Sequence, residues 1–157
     1  MTQSVNLDDI PSLLRLGRQI FLTHQNFDYT YYELEGNFDE LFTNWIKQHI
    51  NQPQQFILVA IESEESPDIV GFISGFLKAL YPWFKTKTVG HISYLVVDPQ
   101  FRQKGVGKLL EQEAREWFKN KNIAYIEVYV DEKNAIGQEV WNSYGFLPFK
   151  KFLRKKI

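Results

Sequence analysis

The sequence predicts an α/β chain, α+β in the stricter sense, built on one mixed central sheet. Three observations carry that reading. Residues 55–61 and 69–80 are β-branched and aromatic runs on either side of a turn holding Pro67, the pattern of an antiparallel hairpin. A third run, residues 88–97, feeds a glycine-bearing loop, a helical pattern to about Lys119 and another apolar run at 123–130, which is the order of a parallel crossover unit. Before the hairpin, two segments repeat apolar residues at the helical period.

Taken in order, Asn6 or Asp8 can cap a first helix over about residues 8–22, with Pro11 near its first turn and Leu13, Leu14, Leu16, Ile20 and Phe21 at helical spacing. Residues 27–36 are aromatic and acidic without periodicity and read as a loop. Phe38, Leu41, Phe42, Trp45, Ile46 and Ile50 mark a second amphipathic helix that ends before Pro53. After the hairpin, residues 81–87 form a loop carrying Trp83 and Phe84. Beyond the crossover unit, residues 134–143 have the length of a short helix that Gly145 can terminate, and residues 146–153 read as a last strand before the basic tail Arg154, Lys155 and Lys156.

Composition narrows the function. With 157 residues the economical reading is one domain over 1–157, large enough for its own core. A formal net charge of -1 supplies no basic field for nucleic acid or anionic membrane. Cysteine is absent, which removes disulfides and thiolate chemistry together, and no apolar run approaches a membrane span. A cytoplasmic location follows as the default. The three histidines are too scattered to propose a metal site.

The stretch with the clearest chemistry is Val97-Asp98-Pro99-Gln100-Phe101-Arg102-Gln103-Lys104-Gly105-Val106-Gly107-Lys108-Leu109-Leu110. It joins a strand to a helix and puts two glycines where the first turn leaves backbone N–H groups unpaired at the positive end of the helix dipole. That is an anion cradle. A Walker A loop would need glycine where Arg102 stands and Ser or Thr where Leu109 stands. A dinucleotide fingerprint starting at Gly105 would need a glycine at Leu110. What remains, Arg102-Gln103-Lys104-Gly105-Val106-Gly107, resembles the R/Q-x-x-G-x-G/A acetyl-CoA signature of the GCN5-related N-acetyltransferase (GNAT) superfamily. Asn134 through Trp141 to Gly145-Phe146 is similar to that family's asparagine-led closing helix, so the resemblance runs from about Gln55 to Phe149, with the first fifty residues fitting its variable first strand and helix pair.

The resemblance implies a sheet of about six to seven strands, with a splayed parallel pair in the middle and about four helices. It implies acetyl-CoA as acyl donor, its pyrophosphate on the backbone of Arg102, Gln103, Lys104, Gly105, Val106, Gly107 and Lys108. The pantetheine arm would pair with Leu95, Val96 and Val97, and Asn134 would contact the cofactor. His91, eleven residues before Arg102, stands where several members carry a general-base glutamate. The family's usual acid, a tyrosine four residues before Gly-Phe, falls on Trp141, which is left as a cofactor-side residue; Tyr144 is the substitute acid. The acceptor pocket would border Tyr29, Tyr31, Tyr32 and Glu33, a loop that also holds Asp28 and Glu35 and whose acids and rings suit a cation.

The function so implied is transfer of acetyl from acetyl-CoA to a primary amine of a small molecule or a peptide, by direct attack in a ternary complex. Trp141 keeps a second reading open, an acetyl-CoA-binding sensor or structural module without efficient turnover. A third, a protein-interaction domain using the aromatic surface, predicts no coenzyme A affinity. The final strand and exposed aromatics are compatible with a homodimer.

Overall fold

A computed structural model describes residues 1–157. Alternation along the strands assigns the faces of the sheet. In β2 (Gln55–Ile61), Phe56 and Ala60 point to one side and Ile57 and Val59 to the other. The first side packs on Leu110, Ala114 and Phe118 of α3 (Val106–Asn120). The second packs on Leu13 and Leu16 of α1 (Ile10–Gln25) and on Phe42 and Ile46 of α2 (Phe38–His49). The result is helices on both faces of one sheet, each with its own apolar cluster.

The sheet has five strands in chain order: β1 (Thr2–Ser4), β2, β3 (Ile69–Ala79), β4 (Thr88–Val97) and β5 (Ile126–Val128). The pairings β1 to β4 are antiparallel and β4–β5 is parallel. The sheet is therefore mixed, as expected. β2 and β4 match the sequence reading, and β3 stops one residue short of Leu80. α4 (Ala135–Ser143) completes the four expected helices. Asn6 caps a short 3₁₀ turn ahead of α1, reciprocated by Asp9, and α1 outruns its expected end at Leu22 to reach Gln25.

The expected six to seven strands are corrected to five. Residues 146–153 form no strand, and Leu147, Phe149, Phe152 and Leu153 are 77%, 80%, 85% and 87% exposed. The physical reason lies in β5, read from sequence as 123–130 but three residues long. Ile123 is taken by the end of α3, where its N–H donates to the Phe118 carbonyl. An edge that short returns too few hydrogen bonds to order a further strand.

Phe118, fully buried, crosses under β4 at Gly90: a Cβ there would lie 2.7 Å from its ring. Gly90→Ala must displace a ring worth about 2–3 kcal/mol of burial. The expected loss is about 1–3 kcal/mol in urea unfolding. Gly36→Ala, with nothing within 4 Å of its Cβ position, should stay within about 0.5 kcal/mol of the parent.

Candidate active site

Val97 ends β4, and the chain turns through a 3₁₀ segment, Pro99–Phe101, capped by the Asp98 carboxylate. Arg15 of α1 ion-pairs with Asp98 at 2.5 Å and holds the turn against the first helix; that guanidinium keeps the Asp98 carboxyl below the usual range. The loop then passes through two left-handed residues, Gln103 at φ 59° and Gly105 at φ 85°, and enters α3 with no side-chain cap. No backbone N–H from Gln103 to Lys108 meets an acceptor within the chain. These orphan donors face outward at the positive end of a four-turn helix. The side chains of Arg102 and Lys104 are engaged locally: Arg102 Nε donates to the Val97 carbonyl and Lys104 lies over the Phe101 ring.

Beside the loop the sheet opens. The parallel ladder covers only Gly90, His91 and Ile92 of β4, paired with Ile126, Glu127 and Val128. From Ser93 to Val97, β4 has no neighbour on the β5 side. A β-bulge sits at the divergence, where Ser74 pairs with Tyr94 and Gly75 with Ile92, skipping Ser93. Leu95, Val96 and Val97 therefore line a strand edge with free backbone groups.

His91 lies at the closed end of this split, on the sheet face that α1 and α2 cover. It is 7% exposed, between the rings of Phe76 at 5.0 Å and Tyr129 at 4.7 Å. Its Nδ1 is buried without a partner. Lys78 bridges the adjoining strands, donating to Glu127 and to the Tyr129 hydroxyl, each at 2.9 Å. Burial, reinforced by the Lys78 charge and opposed by Glu127, pushes the His91 pKa below 6.5. Lys78, Glu127 and Tyr129 are the members of this group that sequence reasoning missed. The signal was the shared parity of Glu127 in β5 and Tyr129 just beyond it, invisible until the register placed Glu127 opposite His91.

The closing helix divides its expected residues. Asn134 caps α4, its Oδ1 accepting from Gly137 N at 2.9 Å, which leaves its amide nitrogen free. Trp141 packs on the α3-side cluster, its ring 5.1 Å from Phe146. Tyr144 follows the helix as its C-cap, and its hydroxyl lies at Gly107, 2.8 Å from where a Cβ would stand. Burial and the nearby Glu111 raise its pKa above 10.0. His91 and Tyr144 are thus not in contact, one at the closed end of the split and the other at the start of α3.

The loop between α1 and α2 sits on the same sheet face as His91. Tyr29, Tyr31 and Glu33 are exposed, while Tyr32 is half-buried against His24, ring to ring at 5.1 Å. The Tyr32 hydroxyl donates to Asp131 at 3.1 Å, tying this loop to the segment between β5 and α4; burial and Asp131 push its pKa up to about 12. No cluster of three or more His, Cys, Asp and Glu is placed to hold a metal, and no helix is long and apolar enough to cross a membrane.

The burial of His91 has a measurable consequence. The unfolded chain takes up a proton near pH 6.5, before the native imidazole does, so stability falls as pH drops below 6.5 and is fully kept above it. His49, also depressed by burial, adds to the same loss. In His91→Gln, thermal melts from about pH 7.5 to 5 should show a shallower acid decline, with the His49 share remaining.

Comparison with known proteins agrees with this geometry. The sequence model of the acetyltransferase (GNAT) family matches residues 19–146. A spermidine N(1)-acetyltransferase of Thermoplasma acidophilum is 22% identical over 148 residues, covering 92% of this chain and 86% of its own. The tetramutant of the BH1408 protein from Bacillus halodurans superposes with a TM-score of 0.87 at 19% identity, covering 100% of this chain and 99% of the other. The aminoglycoside N-acetyltransferase AAC(6')-Iy, solved in complex with CoA, does so with a TM-score of 0.79 at 18% identity, covering 100% and 93%. With the family matched over most of its length, an orphan N–H cradle at the head of α3 and a split sheet beside it, the chain belongs to the GNAT acetyltransferase family, as an acyltransferase whose donor is acetyl-CoA.

Proposed function

We propose that the chain acts as a single domain that acetylates a primary amine by direct attack in a ternary complex. The observation that carries this is the succession, within one stretch of chain, of the free β4 edge and the unpaired N–H row from Gln103 to Lys108. The residues present fit the donor: backbone donors and a helix dipole for a pyrophosphate, a free strand edge at Leu95, Val96 and Val97 for an amide-bearing arm, and the free amide of Asn134. Acetyl-CoA supplies a thioester carbonyl. Everything else falls to the chain.

In this reading His91 accepts the proton of the acceptor ammonium, directly or through water. Burial keeps its imidazole neutral at neutral pH, so it is available as an acceptor. Attack by the amine nitrogen forms the amide bond and breaks the C–S bond, and the departing thiolate has to take up a proton; Tyr144, whose hydroxyl lies at Gly107 and whose pKa burial and Glu111 hold up, is the phenol that supplies it. Trp141 contributes a wall of the donor side. The acceptor enters on the α1–α2 face, past Tyr29, Tyr31, Tyr32 and Glu33, a polar and aromatic rim that suits an amine.

Two experiments test the proposal. Gly107→Asp places a carboxylate in the first turn of α3, where the dipole favours it and Tyr144 can swing aside, so thermal stability should hold. Acetyl-CoA affinity by calorimetry should fall at least about tenfold; unchanged affinity would remove the cradle from donor binding. His91→Gln should lower kcat by about 10²-fold and abolish an acid limb lying below pH 6.5 in the parent profile. Donor binding with no thiol release on any amine would instead point to a sensor module.

A further inference from the structure

The C-terminal tail crosses to the acceptor side and ends there in a specific contact. Arg154 donates to Asp28 at 2.6 Å while its guanidinium lies 4.8 Å over the Tyr31 ring. Asp28 is itself oriented for this: one carboxylate oxygen accepts from the Tyr31 backbone N–H at 3.1 Å, leaving the other for the guanidinium. A carboxylate below and an aromatic face beside it form a receptor for a cation, and the chain's own cation fills it. The loop that carries Asp28 and Tyr31 joins α1 to α2, the two helices packed on the sheet face of His91. Tyr31 meets Tyr32 edge to face at 5.0 Å, Tyr32 donates to Asp131, and Asp131 follows Glu127, the partner of His91, by four residues, at most about 14 Å of extended chain. The neighbouring Lys133 is committed to the Phe27 carbonyl at 2.7 Å and does not occupy the receptor.

We propose that Asp28 and Tyr31 form a subsite for a distal ammonium or guanidinium of a polycationic acceptor, and that Arg154 is an internal competitor for it. The acceptor class follows: an amine with a second cation roughly one short chain away from the reacting one, such as a polyamine. A monoamine has nothing to place there. The tail can yield because the ion pair is partly exposed, with Arg154 53% and Asp28 29% accessible, and pairs of this kind are weak. Nothing else holds Arg154, and the tail before it is exposed. The acceptor therefore binds with an affinity reduced by the fraction of time the tail is seated.

This inference rests on the acetyl-transfer reading only for its view of what the bound cation is for, so binding and turnover are measured separately. Spermidine and butylamine are titrated by calorimetry into the full chain, with and without coenzyme A, and assayed for thiol release. Arg154→Ala should tighten spermidine binding roughly two- to sixfold and leave butylamine unchanged. Asp28→Asn should weaken spermidine about tenfold and lower the spermidine-to-butylamine affinity ratio. In the Asp28→Asn background, Arg154→Ala should have no further effect. Both side chains are partly exposed and neither is in the core, so folding is retained and is checked by thermal melts. If Arg154→Ala leaves spermidine affinity unchanged, or shifts both amines equally, the competitor and its subsite are overturned. If the binding pattern appears while no amine is acetylated, the subsite stands and the proposed reaction falls.

Discussion

The site depends on one mismatch of length: β4 runs for ten residues while its parallel neighbour β5 accompanies it for three. A sheet interior normally satisfies both edges of a strand, and an unpaired stretch of backbone in that position is costly unless something completes it. Here the bulge at Ser93 turns the strand at the point where the pairing stops. The free edge follows from that divergence, the row of unpaired N–H groups at the head of α3 comes directly after it, and the histidine sits at the root of the split. Arg15 and Asp98 hold the far end and Lys78, with Glu127 and Tyr129, the near one, so the free edge is fixed at both ends by side chains remote in sequence.

The two faces then divide the labour. The α3 side is a dry cluster around Phe118, Leu110 and Ile73, which fixes the helix whose first turn is exposed. The α1–α2 side is apolar at its centre but gives way toward β5 to a polar group, with Lys78, Glu127, Tyr129 and His91 in mutual contact or charge range. Such a group is placed by cross-strand register: Phe76 opposes His91, and His91 opposes Glu127.

What could be read from sequence follows the same division. The hairpin strand 55–61 and the strand 88–97 were legible because their alternation is local and their bounds are set by turns, and the cradle was legible because its chemistry lies in consecutive backbone groups. Residues 146–153 carry the same kind of pattern as a strand, yet a strand needs an edge to pair with, and the shortness of β5 is not encoded in the tail itself. Lys78, Glu127 and Tyr129 were missed for a related reason: they come from β3, from β5 and from the residue just past β5, and meet His91 only through tertiary pairing. Trp141 falls within the closing helix as expected, whereas Asn134, read as its first residue, stands just outside as its cap, and the packing of Trp141 on Phe146 is set by tertiary contacts.

Strand order that equals chain order has a kinetic side. The meander β2–β3–β4 is closed by contacts between neighbours in sequence, so its loop-closure cost is low and it can assemble early. β5 must await the whole of α3 and then adds only three residue pairs. Amide exchange should therefore grade across the sheet, slow in β3 and fast at the three-residue edges β1 and β5, so that the strand beside the free β4 edge is among the parts of the sheet that open most cheaply. A free edge with one such neighbour can widen without disturbing the meander that anchors it.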